Sequence, residues 1–270
     1  MHTEVTTQQI EQYRREGWII VEDFLGVEEL EEMNAAIDES VAQMGSTKLA
    51  GNGNKDIADS PDSYYGGVFF QRVNMWKIHP VIGRYFLDAE LGHMLCRLAG
   101  IDGIRIWHDQ TLQKMPWASP TSWHIDVPNW SFHSPDAVSI WIALEDATIQ
   151  NGCMYYLPGS HKVADYQRKG GFGPNMGGLF DDYPELRQTR AMPVELKAGS
   201  AGIHNGLMAH AAGPNMTPGS RRAMTCAYMP DGATFNGIQN ILSDEQVAAL
   251  KVGDALDDES QNPLLWSAGG

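Results

Sequence analysis

Between Ile104 and Pro230 one pattern recurs: short runs of apolar, aromatic and β-branched residues, each closed by a turn signal. Residues 104–114, 122–126, 138–144, 153–157, 192–196, 201–204 and 222–228 are such runs, punctuated by Pro158-Gly159 and Asn205-Gly206. Most are too short for packed helices but suit strands, so the pattern predicts an all-β sandwich or barrel.

The first third reads differently. Thr6 or Thr7 caps a short helix with Ile10, Tyr13 and Arg14 at helical spacing, and Gly17 ends it. Residues 18–21 read as a strand. A second helix runs from about Val27 to Met44, with Leu30, Met33 and Ile37 on one face and glutamates on the other. Residues 45–67, rich in Gly, Asn, Asp and Ser, predict a surface loop. A helical section over 79–98 stops at Gly100. Residues 170–178 predict a mobile loop over the β-region, and 243–266 a short helix with an acidic segment. The expectation is one domain over 1–270: helix-rich 1–100, a β-barrel core at about 101–230, and a C-terminal helix and tail at 231–270.

Charge removes several function classes. Against 34 acidic residues stand 19 basic ones, a formal net charge of −15. No positive field exists to neutralise phosphates, so nucleic acid and anionic membranes are not expected partners. Cys96, Cys153 and Cys226 form no C-x-x-C pair and no even-numbered framework, which argues against a disulfide scaffold or a cysteine zinc site. The N-terminus carries early acidic residues and no apolar stretch, so a cytoplasmic protein acting on a small molecule is expected.

The chemistry concentrates at Trp123-His124-Ile125-Asp126. On a strand, side chains two apart share a face, so His124 and Asp126 converge. Two ligands cannot hold a catalytic metal, and His210, 84 residues after Asp126, is the candidate third. Two histidines and one carboxylate with open positions form the facial triad of non-haem Fe(II) oxygenases. On the tripeptide alone, a hydrogen-bonded His–Asp pair is the commoner reading, and eight other histidines make a downstream partner easy to find.

The run from Val138 to Lys162, VSIWIALEDATIQNGCMYYLPGSHK, narrows this. With WHID before it, and HAAGPN and Arg221 after it, the chain resembles the phytanoyl-CoA dioxygenase family of Fe(II)/2-oxoglutarate oxygenases. The order is H-x-D, a W-x-A-L strand, N-G-C, P-G-S-H, a distal His, and an Arg eleven residues later. The resemblance covers nearly the whole chain, most tightly from Gln110 to Pro230. It implies an α+β, mainly β fold: a double-stranded β-helix (jelly-roll, cupin-like) barrel with supporting N-terminal helices. It implies that His124, Asp126 and His210 bind Fe(II). It further implies that Arg221 binds the distal carboxylate of 2-oxoglutarate, and that Trp141, Gln110 and Arg72 also contact the co-substrate.

The implied activity is a dioxygenase that uses O2 and 2-oxoglutarate to hydroxylate or otherwise oxidise an unactivated C–H bond, releasing succinate and CO2. The carboxylate at Asp126 argues against halogenation, because related halogenases carry Ala or Gly there. Relatives often hold Ser two residues after the distal His, where this chain has Ala212, leaving more of the co-substrate to Arg221. His204 is expected to support the centre from outside it, Cys153 to be a small buried residue, His161 a structural cap, and Arg222 to point away. Asn129, Trp130 and His133, with residues 169–190, are candidate substrate contacts. No Lys/Arg cluster stands out for an acyl-CoA. The alternatives are a cupin-like metalloenzyme without 2-oxoglutarate and a metal-free binding or sensor protein.

Overall fold

A computed structural model of the chain describes residues 1–50, 65–168 and 173–269. The loops expected at 45–67 and 170–178 lie partly outside the described residues, as does the start of 169–190.

Thr6 opens the first helix, α1 (Thr7–Glu16), in a capping box: its hydroxyl accepts from Gln9 N while Gln9 reaches back to Thr6 N. Gly17, at φ 87°, ends it in the left-handed region, which a Cβ would strain. The chain then forms β1 (Trp18–Val21) and α2 (Val27–Met44), whose buried stripe is Met33, Ala36, Ile37, Ser40 and Met44. After β2 (Phe70–Val73), the expected single helical section divides into α3 (Pro80–Phe86) and α4 (Ala89–Ala99). Asp88 causes the break by taking an extended conformation and accepting from Leu91 N as a new N-cap.

The strands follow as β3 (Gly103–Lys114), β4 (Thr121–His124), β5 (Val138–Ala143) and β6 (Met154–Tyr156). A short helix α5 (Leu179–Asp182) precedes β7 (Met192–Val194), β8 (Ala201–Asn205), β9 (His210–Ala212) and β10 (Arg221–Pro230). The chain closes with α6 (Asp244–Ala249) and β11 (Leu264–Ser267). Seven strands form one antiparallel sheet in the order β1-β8-β5-β10-β3-β11, with β2 also on β3; four form a second, β4-β9-β6-β7. The fold is thus mixed helix and strand with antiparallel sheets. The expected closed barrel is not what forms: among the described residues no pairing joins the two sheets, which instead pack face to face.

Burial follows the alternation along each strand. Val138, Ile140 and Ile142 of β5, with Ala201 and Ile203 of β8, bury against the four N-terminal helices in one apolar cluster. The opposite face carries Trp141 and Ala143, which meet Met154, Tyr156 and Ala212 of the smaller sheet. Two bulges redirect strands between these layers. In β3, Ala227 pairs with His108 and Tyr228 with Ile106, leaving Trp107 as the extra residue. Ile104 and Ile106 therefore face the helices, whereas His108, Gln110 and Leu112 face the cavity between the sheets. In β4, Thr121 pairs with Ala212 and His124 with His210, so one extra residue lies between them. No described helix is long and apolar enough to cross a membrane.

Candidate active site

His124 and His210 are register partners on β4 and β9, with ring centroids 4.1 Å apart. Asp126 does not reach them along a strand. β4 ends at His124, and Asp126 sits at φ −78°, ψ −56° where a 3-10 turn over Val127–Asn129 begins. The turn curls the carboxylate back, placing Oδ1 3.6 Å from His124 Nε2 and Oδ2 3.9 Å from His210 Nε2. One ligand atom from each of the three residues lies within 4.8 Å of the other two. The three residues expected to converge do so, through a different geometry from two positions on one strand face: the bulge and the turn together aim the side chains.

Both imidazoles are oriented from behind. His124 Nδ1 donates to Ser122 O at 2.7 Å, and His210 Nδ1 to Met208 O at 2.9 Å. A carbonyl only accepts, so each ring carries its proton on Nδ1 and offers the Nε2 lone pair to the cluster. Burial, then His210, pushes the His124 pKa well below the ordinary histidine value, while burial raises that of Asp126. His204 lies against this group, its ring 4.8 Å from that of His210 and its Nδ1 3.0 Å from Tyr156 Oη, with no partner for Nε2 among the described residues. It is a neighbour of the cluster and does not belong to the three converging ligands.

A cavity of about 400 Å³ opens from the triad in two directions. Toward one end, Arg221 is 2% exposed; its guanidinium carbon sits 5.1 Å from the Trp141 ring centroid and its Nε has no partner among the described residues. Leu112, Met154 and Ala212 surround that end. Cys153 is buried nearby, and burial pushes its thiol up to about 11, which makes it an inert wall. Arg222 points the other way, 2.8 Å from Asp38 on α2. His161 packs onto Gly17, away from the cavity.

Toward the other end lie His108, Gln110, Gln71, Asn129, Trp130 and Asn240. Gln71 donates to Gln110, and Asn129 is braced by a 3.1 Å bond to Ile125 O. Two expected contacts are not there. Arg72 faces the opposite side of β2, where it donates to Gln71 O and to Gly45 O at the end of α2, because Gln71 and Val73 take the cavity-facing positions of that strand. His133 is exposed and stacks on Tyr166 with centroids 4.6 Å apart, so it does not line the cavity. His108 was not singled out; its signal was the strand face it shares with Gln110. Burial brings its pKa down to about 4, and its ring meets Trp130 edge-on at 6.1 Å.

Comparisons with known proteins agree with this geometry. The family described as Phytanoyl-CoA dioxygenase (PhyH) matches residues 13–223. The chain is 30% identical over 135 residues to the dioxygenase lolE1 of Epichloe uncinata, a match covering 50% of this chain and 49% of that protein. It is 23% identical over 271 residues to phytanoyl-CoA dioxygenase domain-containing protein 1 of Bos taurus, covering 86% of this chain and 92% of that one. Among solved structures, the epimerase SnoN in complex with Fe3+, alpha ketoglutarate and nogalamycin RO superposes with a TM-score of 0.78 and 25% identity, over 96% of this chain and 97% of that chain.

Proposed function

The chain belongs to the phytanoyl-CoA dioxygenase family, and from that premise we propose that it is a non-haem Fe(II)- and 2-oxoglutarate-dependent dioxygenase that hydroxylates a C–H bond of a small organic substrate. The observation that carries this is the pairing of a triad whose imidazoles are held with Nε2 toward the cluster by backbone acceptors with a buried guanidinium that forms no ion pair among the described residues. His124, Asp126 and His210 would hold the metal and leave the opposite positions open. The bound iron and co-substrate supply oxygen activation, with succinate and CO2 as the co-products.

The protein's own part is orientation. Arg221 presents a planar fork to the distal carboxylate, and the Trp141 ring beneath the guanidinium keeps that fork in plane. Ala212 offers no hydroxyl, so recognition there falls to Arg221. Gln110 and Gln71, joined by their hydrogen bond, form a fixed amide edge between the co-substrate and substrate ends. Asn129 and Trp130 follow the triad immediately and would set the substrate against it, with Trp130 and His108 excluding water. The double-stranded β-helix description fits two facing sheets, with His124 and His210 on the smaller one and Asp126 on the turn that leaves it. A metal-only enzyme on this fold would have no use for a buried guanidinium that lacks an ion pair among the described residues.

Anaerobic addition of Fe(II) and 2-oxoglutarate tests the reading. A visible metal-to-ligand charge-transfer absorption that needs both additions is expected; its absence would overturn the proposal.

A further inference from the structure

Lys114 and Arg221 are register partners on β3 and β10, and both stand on the cavity-facing side of the large sheet. Lys114 is 0% and Arg221 2% exposed. Among the described residues no carboxylate forms an ion pair with either. Directly opposed residues of an antiparallel pair hold their Cβ atoms about 5 Å apart, so two cationic side chains share one desolvated corner.

The fold is built to admit this lysine. A Cβ on Gly152 would lie 2.7 Å from Lys114 Cδ and 2.7 Å from Gly213 O, so the lysine stem occupies the space that Gly152 leaves where it packs against Gly213. Those glycines belong to the Asn151-Gly152-Cys153 turn and to the segment that follows His210-Ala211-Ala212. Lys114 Nζ donates to Ser119 O at 2.7 Å. The groups around it are few. β10 contributes Arg221; the turn contributes Cys153, which with the more distant Glu145 acts on Arg221; and the Tyr155 ring lies over Gly213. The neighbouring backbone at Ser119 and Asn215 offers only amides and carbonyls.

Two buried like charges without a counter-charge raise each other's free energy, and a guanidinium keeps its proton where an amine does not. Burial, then Arg221, brings the Lys114 ammonium down to about 7, while burial brings Arg221 down to about 10. We propose that Lys114 is a second, switchable cation at the co-substrate end: it stays an uncharged amine while Arg221 stands alone, and takes a proton from solvent when a dicarboxylate settles on Arg221. The inference rests on the 2-oxoglutarate reading above. The step is one proton moving to Nζ, with no bond to carbon made or broken. Lys114 acts through Arg221 and is a positioning residue.

Calorimetric titration of 2-oxoglutarate into the anaerobic Fe(II) enzyme at pH 8, in two buffers of different ionisation enthalpy, tests it. An uptake approaching about one proton per 2-oxoglutarate is expected, with the Kd rising up to about tenfold per pH unit above pH 8. Lys114→Arg, permanently charged, and Lys114→Met, permanently neutral, should bind with no uptake. Wild-type binding without proton uptake overturns the proposal, as does uptake that survives in either variant. Should no binding heat and no charge-transfer band appear at all, the co-substrate reading itself fails and takes this inference with it. A band with zero uptake sinks the inference alone.

Discussion

Tyr156 on the smaller sheet and His204 on the larger one are joined by a 3.0 Å hydrogen bond that crosses the interior beside the triad. Both side chains are buried, and Trp18 packs on the tyrosine ring at 5.4 Å. Tyr156→Phe keeps that packing but strips His204 of its partner. A stability loss of about 1–3 kcal/mol is expected from the unmet buried nitrogen, read as a lower urea midpoint with unchanged slope.

Asp126→Ala should remove one of the three proposed metal ligands while leaving both imidazoles in their carbonyl-anchored orientation. Fe(II) affinity is expected to fall by more than about 100-fold, beyond the range seen when only an outer partner is lost. Equilibrium dialysis measures it. Succinate release at the wild-type rate would contradict the ligand assignment.

Arg221→Lys keeps a charge but loses the planar fork and the stacking on Trp141. The Kd for 2-oxoglutarate, followed by the charge-transfer band, should rise at least about 30-fold, the equivalent of about 2 kcal/mol for a truncated buried charge contact.

Asp109 on β3 points at the helices, where Oδ1 accepts from Met75 N at 2.9 Å and Oδ2 from Trp76 N at 2.6 Å. Burial raises its pKa from 3.8 to about 7 against the pull of those donors. Across that window the folded protein holds a proton the unfolded chain releases. Its contribution is therefore complete below the unfolded value and is lost as pH rises through about 7. Relative to Asp109→Asn, the wild type should lose about 2–3 kcal/mol between pH 5 and pH 8, measured by urea denaturation at both.

Gly152→Ala combines a φ of 93° with a Cβ 2.7 Å from Gly213 O. A destabilisation of about 2–3 kcal/mol is expected from backbone strain and the clash together, seen as a drop in Tm. Gly159→Ala, whose Cβ would meet nothing within 4 Å, should cost less.

Parts of the fold that depend on local rules were legible in the chain. The ends of α1 and α2 follow from Thr6, Gly17 and the Leu30–Ile37 stripe, and the alternation of 138–143 put Trp141 on the cavity side. Parts that depend on tertiary closure were not. Phe70–Val73 has no apolar alternation and is a strand because β3 offers it an edge; Leu264–Ser267 uses another stretch of that edge. Arg72 was assigned by chemistry without a register, and the register decides its side of β2. Asp126 was assigned by a period that ends two residues before it. His108 shares the strand face of Gln110 in the sequence itself; what the sequence does not show is the bulge at Trp107, which turns that face to the cavity while Ile104 and Ile106 face the helices.

The bulge between Thr121 and His124 has a consequence for how this protein can vary. Thr121 and His124 both point inward only because one residue too many stands between them. Lengthening the loops on either side would leave the triad intact. Losing Ser122 or Trp123, or gaining one neighbour, would turn His124 to the opposite face and leave only Asp126 and His210 of the three converging side chains. Insertions and deletions at this step are thus all-or-none, and a chain carrying one could keep its fold while its chemistry vanished.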